Sequence, residues 1–538
     1  MMKGITMFKP WPLLAVLILF AAGSGPVAAQ GTLRIAMTLA DIPMTTGQPD
    51  QGMEGYRFAG YPIYDALVNW DLSKGEGPTP LRPGLALSWR ADPADPRRWS
   101  FTLRPGVRFH DGSGFDADAV VWNLDKIYNE KSPQFDARQA AQVRGRLVPI
   151  GGYKAVGPLE VEITTRPVDA FFPWELTYLL FSSPAQWEKV GRNWDAVARQ
   201  PSGTGPFRVG QVTPRERLEL LRNADYWDRQ RVPKLDRVIL LPVPDAATRS
   251  SALLSRQVDW VEAPATEMLD QLRANGMQIA SNVYPHIWPW EPRRLPGSPW
   301  NDIRVRKAMN LAIDRDGMTE LLHGTMRPAV GHVYPGHPWF GTPSFHIKYD
   351  PAEAKRLLAE AGYSSQNPLR LSVAISPSGS GQMEPLLMNQ FIQQNLEAVG
   401  VKVDFEVLEW DTLRNRRRAG AKADANRSVS AINNSLGTMD PSIAFLRQFH
   451  GDWAAPAGFN WGYYRNAEVD ALIDAAQHNF NPPEQDKLLA RAHTLIVDDA
   501  AYVFVAHDLG PRAMSPAVKG FVAPQSWVID LTQISIVP

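Results

Sequence analysis

Apolar and polar positions alternate first over residues 32–38 (TLRIAMT), which predicts a strand. A polar, turn-rich loop follows at 41–53. Ile63, Tyr64 and Leu67 recur at near-helical spacing and predict a short helix over 61–68. Residues 99–103 (WSFTL) predict a strand. After turn signals at Pro105-Gly106 and Asp111-Gly112, Asp116 is placed to cap a helix whose Val120, Leu124, Ile127 and Tyr128 share one face. Leu159, Val161 and Ile163 alternate again. Strands are then expected at 218–221, 238–241 and 257–261, with a helix capped by Asp245 and running to Leu254.

The composition shifts near Asn282. Residues 283–300 (VYPHIWPWEPRRLPGSPW) are rich in Pro and Trp and read as a segment crossing between two bodies. Beyond it the pattern is repeated helix and strand. Asp302 caps a helix with Val305, Ala308, Met309 and Ala312 on one face. Asp350-Pro351 opens another that Gly362 ends. Strands are expected at 369–375 and 401–407, separated by the loop 376–381 and a helix ending at Gly400. Asn481-Pro482-Pro483-Glu484 starts a capped helix, and 502–507 predicts a late strand that rejoins the first body. Within this series, 431–445 (AINNSLGTMDPSIAF) stands out. Small polar residues sit between an apolar run and the helix opened by Asp440-Pro441, the make-up of a ligand wall presented by rigid elements.

Length and charge narrow the class. A chain of 538 residues needs two or three domains. Lys+Arg and Asp+Glu are both 56, so no global basic field argues for nucleic acid. Most of the 18 Trp and 14 Tyr are expected in cores, but this many amphipathic rings can also line a large cleft. Lys3, Lys9, the apolar run 13–22 and Val27-Ala28-Ala29 describe a cleavable signal peptide over 1–29. Its removal leaves 509 residues and, with both lysines gone, a formal charge of −2. The expected destination is the periplasm.

Absent motifs exclude much chemistry. With no cysteine there is no disulfide, thiol catalysis or Cys-ligated zinc. No HExxH, GxSxG or Walker A pattern occurs, and His332 and His337 lack metal-ligand spacing. The Gly-rich 202–209 (SGTGPFRV) is read as a tight crossover, because Arg208 stands where a third phosphate-loop glycine belongs. The run 414–418 (RNRRR) is read as a solvated helix face ahead of an anion-binding wall. Asp498-Asp499 are read as solvated or capping groups.

Several segments together resemble a known family. They are LRPGLALSW (81–89), WSFTLRPGVRFHDGSGFDADAVVWNL (99–124), GTGPFRV (203–209), LRNADYWDRQRVPKLDRV (221–238), DIRVRKAMNLAIDR (302–315), YDPAEAKRLLAEAGY (349–363), NLEAVGVKVDFEVLEW (395–410) and YYRNAEVDALIDAA (463–476). In this order they resemble the solute-binding proteins of bacterial ABC importers that include dipeptide-, oligopeptide- and nickel-binding members (family 5). The resemblance implies an α/β, two-lobed periplasmic-binding-protein fold of type II-like form, with an extra subdomain in the first lobe and crossing strands as hinge. It divides the chain into a discontinuous first lobe (30–65, 205–285 and 508–538), an added subdomain (66–204) and a second lobe (286–507). It further implies a small-molecule or peptide ligand in the interlobe cleft, delivery to a membrane-embedded permease, and a monomer. No cofactor, metal or catalytic residue is expected. The alternative from another class is an exported hydrolase acting on peptides or sugars, against which the missing nucleophile and metal motifs count.

Candidate wall residues follow from position. Met44 and Thr45 lie in the loop after the first strand, and Trp288 and Trp290 in the crossing segment. Met383 follows the loop 376–381, and Trp410 follows a second-lobe strand. Asn433, Asn434, Gly437, Thr438 and Asp440 complete the wall, with Arg138 as an anion partner. Asp440 is assigned to helix capping ahead of a ligand role. In peptide-binding members of the family an Asp shortly before the acidic-Pro pair holds the ligand's α-amino group. Counting back from Asp440-Pro441, that place falls on Gly437, so an ordinary free peptide would lack its ammonium partner. Trp, Met and neutral amides together suit a partly apolar or aromatic organic solute.

Overall fold

The computed structural model describes residues 31–378 and 383–537. The expected signal peptide and most of the tip of the loop 376–381 lie outside the described residues.

Two mixed seven-stranded sheets form the cores of two lobes. In the first, strand Thr32–Met37 lies parallel to both Arg237–Pro242 and Trp260–Glu262. Its register is fixed because Leu33, Ile35 and Met37 are fully buried; a one-residue slip would turn them to the opposite face. In the second sheet, Arg370–Ile375 runs parallel to Lys402–Val407 and to Ala431–Asn433, while His286–Pro292 pairs antiparallel with Ala431–Asn433 and with Val503–Asp508. A four-stranded antiparallel sheet, built from Ala86–Ala91, Arg98–Leu103, Glu160–Thr165 and Ile150–Gly157, makes a separate layer. Helix Ala117–Tyr128 packs on it, capped by Asp116, whose carboxylate accepts from the Ala119 amide at 2.9 Å.

The chain crosses between the two large sheets twice. It leaves the first at Gln278–Ala280 and enters the second at His286. It returns between Val503–Asp508 and Arg512–Met514. The two crossings run side by side: the Asn282 amide donates to the Leu509 carbonyl, and Tyr284 to Asp508.

Four expectations are corrected. The predicted helix over 61–68 is a turn leading to strand Val68–Trp70; the helical turns lie earlier, at Gly52–Gly60. Pro62 has no amide proton to continue the ladder of Gly52–Gly60, and the chain ends there in a turn in which the Ile63 and Tyr64 amides donate to the Gly60 carbonyl. The strand at 502–507 belongs to the second sheet, where Val503–Asp508 is flanked on both sides; the first sheet is rejoined only at Arg512–Met514. Of the predicted crossing segment only 283–285 crosses, together with 281–282 before it; the Trp-rich part is a buried strand of the second sheet. Asn481 makes no side-chain cap at helix Pro482–Asp498, whose first two positions, Pro482 and Pro483, have no amide protons to donate.

The Gly-rich 202–209 is a close backbone crossover. The Gly205 amide donates to the Ile63 carbonyl at 2.9 Å, and a Cβ on Gly205 would sit 2.5 Å from the Ile63 carbonyl carbon. Only glycine permits that approach.

Candidate functional site

A cavity of about 220 Å³ lies where the two large lobes and the four-stranded layer meet. On the first-lobe side it is bounded by Gln51–Met53 and the ring of Trp527. Trp527 is held from both ends. Its carbonyl accepts from Arg57 Nε at 2.6 Å, and its ring packs 4.7 Å from Tyr284. Arg57 is fixed in turn by Glu262 at 2.5 Å. This buried network aims an apolar surface at the cavity and leaves Glu262 fully occupied, since it also receives Arg512 and Trp260.

The four-stranded layer contributes Arg146 and Tyr178. Arg146 follows the short helix Ala137–Val143, and its guanidinium stacks 5.0 Å from the Tyr178 ring centroid. From the second lobe, helix Trp410–Ala419 presents Trp410, Arg414, Arg417 and Arg418. Three of these recur at i, i+3 and i+4, which places Arg414, Arg417 and Arg418 on one face. Arg417 is neutralised by a bidentate pair with the fully buried Glu291, at 2.7 and 3.1 Å. Burial lowers the pKa of Arg414 and Arg418, and each is lowered further by the guanidinium of Arg146. Positive charge from the two sides of the cavity therefore converges.

The segment 431–445 forms the cavity floor. Asn434 is buried, and its side-chain oxygen has no hydrogen-bond partner among the described residues. The same holds for the side-chain oxygen of Gln448, whose nitrogen donates to the Gly437 carbonyl at 3.4 Å. Gly437 opens on the cavity: an added Cβ would meet only Ile443 and Trp527 atoms, both at 3.9 Å. Asp440 lies just beneath. One oxygen accepts from the Ile443 amide at 2.8 Å and caps the turn Ser442–Leu446; the other accepts from Tyr178 Oη at 2.8 Å. Burial pushes its carboxyl up to about 6.

Of the sequence candidates, Trp410, Asn434 and Gly437 line this cavity. The others lie elsewhere. Met44 is half-buried, with its amide on Asp50, and Thr45 donates to the Ala198 carbonyl at 2.6 Å. Trp288 and Trp290 are buried in the second-lobe core, where Trp290 Nε1 donates to Asn389. Asn433 completes that interior chain by accepting from Asn389 at 3.0 Å. Met383 packs against the same core. Thr438 is tied by its amide to Pro285. Arg138 is at the surface, paired with Asp195 at 3.0 Å; the arginine on the cavity from this part of the chain is Arg146. Within the run 414–418, Arg414, Arg417 and Arg418 line the cavity, Arg418 while still exposed to solvent, whereas Asn415 is exposed and Arg416 pairs with Glu406 at 2.6 Å. The i, i+3, i+4 spacing of those three was the available signal. Asp498 and Asp499 act as anchors, accepting from the Ser344 and Phe345 amides and from Arg306 respectively. Among the described residues no group of three or more His, Asp or Glu side chains is placed to hold a metal ion.

Comparison with known proteins bears on this arrangement. Residues 80–455 match the family model described as bacterial extracellular solute-binding proteins, family 5, middle. Heme-binding protein A of Haemophilus influenzae is 26% identical over 496 residues, covering 87% of this chain and 85% of the relative. Glutathione-binding protein GsiB of Pectobacterium atrosepticum is 29% identical over 441 residues, covering 80% of each. The periplasmic binding protein DppA of Helicobacter pylori, solved with the peptide STSA, superposes with a TM-score of 0.77 at 24% identity, covering 94% of this chain and 98% of that one.

Proposed function

Because the chain belongs to the bacterial extracellular solute-binding proteins of family 5, we propose that its ligand is a small organic solute and not an ordinary free peptide. The chain is the solute-binding component of an ABC importer, and the family match gives the hydrolase reading no support. The single observation that carries the ligand reading is Gly437. It leaves open space on the cavity wall at the place where the family resemblance puts an ammonium partner, and no lining residue is acidic. A buried ammonium without a partner costs several kcal/mol.

The rest of the reading follows the family. The first 29 residues are a signal peptide removed on export, and the mature protein works in the periplasm as a monomer. Its lobes, divided at 30–65, 205–285 and 508–538 against 286–507 with 66–204 added, close over the solute about the crossings at 281–285 and 509–511. Closure excludes water and strengthens each polar contact inside. The closed form then docks on a membrane permease.

The test is calorimetric titration of the mature protein with Met-Leu, trialanine, glutathione and haem. Micromolar binding of the two simple peptides, lost when their α-amine is acetylated, would sink this reading. Recovery of a non-peptide solute by native mass spectrometry of periplasmic protein is the expected result.

A further inference from the structure

We propose that the solute is a dianion carrying uncharged N–H or O–H donors on a flat apolar body, and that it closes the lobes by bridging Arg146 to Arg414 and Arg418. This rests on the interlobe reading above and names its substrate class.

Charge sets the count. Arg417 is matched by Glu291, so three guanidiniums remain: Arg146 from one side, Arg414 and Arg418 from the other. Facing them is one carboxylate, Asp411, at the rim. It is 3.4 Å from Arg414 and three-quarters exposed. Asp50, on the first-lobe side, accepts from the Met44 amide at 2.8 Å and forms no ion pair with any of the three guanidiniums among the described residues. Arg418 has no hydrogen bond or ion pair among the described residues, and Arg146 has only a long contact to the Met53 sulfur and its aromatic stacking. Two positive charges are therefore left without a counter-ion at the cavity, Arg146 half-buried and Arg418 exposed at its edge, where the low-dielectric wall makes like charges repel more strongly than in bulk water.

The donors follow from the floor. Asn434 Oδ1 and Gln448 Oε1 are both buried acceptors with no partner among the described residues. A buried acceptor left unpaired costs about 1–3 kcal/mol, so a matching ligand presents N–H or O–H groups there. These donors are neutral, because an ammonium would meet the arginines without a carboxylate to offset them. The apolar body follows from Trp410, Phe459 and Trp527.

The same charges give a closing mechanism. Without an anion, Arg146 opposes Arg414 and Arg418 across the cleft and favours separation. A dianion between them reverses the sign of that interaction only in the closed geometry, which is the differential affinity that ligand-driven closure requires. Carboxylate and phosphate are equivalent in this argument.

Two matched pairs test it on the mature protein: N-benzoyl-L-glutamate against N-benzoyl-L-glutamine, and indoxyl phosphate against indoxyl sulfate. Each pair keeps its shape and differs by one negative charge; the indoxyl pair also keeps its donor, whereas the glutamine member gains the two N–H donors of its carboxamide. In thermal-shift and calorimetric titrations, the dianion of at least one pair should bind ten-fold or more tightly than its monoanion. Which pair responds separates carboxylate from phosphate. R418Q should erase the difference and, without any ligand, give a smaller radius of gyration by X-ray scattering, because repulsion across the cleft is relieved. A merely structural arginine would not compact the empty protein. Equal binding within both pairs, or no dianion binding at millimolar concentration, overturns the proposal. A neutral solute recovered from periplasmic protein also overturns it while leaving the small-solute reading intact; a free peptide overturns both.

Discussion

The phenol of Tyr178 donates to the carboxylate of Asp440 at 2.8 Å, joining residues 262 positions apart from opposite sides of the cavity. Beside it, Glu175 accepts from Ser442 at 2.6 Å and from Arg447 at 3.2 Å. These bonds form a latch between the four-stranded layer and the second lobe. All five groups are buried, so each bond counts fully when the lobes part.

Replacing Tyr178 with Phe removes the cross-lobe bond and leaves one Asp440 oxygen without its donor. A hydrogen bond to a charged acceptor contributes about 1.5–3 kcal/mol. Ligand affinity should therefore fall by roughly ten-fold or more, with the scattering profile shifted toward a more open form. Unchanged affinity would show that the latch does not report on closure.

His493 predicts an acid-sensitive second lobe. Its Nδ1 lies 2.6 Å from the Phe340 carbonyl, and its Nε2 accepts from the His332 and Val333 amides. The ring is thus neutral, and burial lowers its pKa to about 4. A folded-state pKa below the unfolded value of about 6.5 gives stability that is complete above that value and lost as pH falls toward 4. Asp440, raised to about 6, runs the other way: its contribution is complete in acid and lost as pH rises through 6. The comparison must therefore be between variants. Between pH 7.5 and 5.0, wild type should lose up to about 2 kcal/mol more than H493Q in urea unfolding. Parallel curves for the two would refute the assignment.

Gly205 should tolerate no side chain. G205A places a methyl group against the backbone at Ile63, which no rotamer can relieve. The expected loss is at least about 2 kcal/mol, seen as a lower urea midpoint with an unchanged slope. Gly106, with φ +74 and open space around it, is the control; G106A should cost only about 1 kcal/mol.

G437D should convert the cavity. The new carboxylate has room and sits at a backbone conformation open to any residue. It should weaken anion binding ten-fold or more and give free di- and tripeptides measurable affinity. Titration of both classes against the variant decides this; peptides that still fail to bind would remove Gly437 from the specificity argument.

Local physics made most of the fold legible. The caps at Asp116, Asp245, Asp302 and Asp350 form as expected because each needs only a short side chain and a free amide within three residues. Errors arose where the partner is distant. The sequence leaves the sheet of strand Val503–Asp508 open, because the apolar run Val503–Ala506 fits any buried strand and only pairing with His286–Pro292 decides. The cavity is legible in its floor, through Asn434 and Gly437, and at Trp410 on its wall. Trp288 and Trp290 have the composition of a cleft lining, yet a strand with both faces covered buries them. Arg146 carries no local signal: it becomes a site residue because the fold brings helix Trp410–Ala419 opposite it.

The parallel pairing of Thr32–Met37 with strands some two hundred residues later also orders assembly in time. That first strand has no neighbour until Arg237–Pro242 exists, whereas the antiparallel sheet from Ala86 to Thr165 closes over far shorter loops. Loop-closure entropy makes long-range pairing slow, so the small sheet forms first and the discontinuous lobe late. Trp527, bonded to Arg57 across 470 positions, joins last. Binding competence is thus the final event of folding, and pulse-labelled hydrogen exchange should find amides of Arg98–Leu103 protected before those of Thr32–Met37.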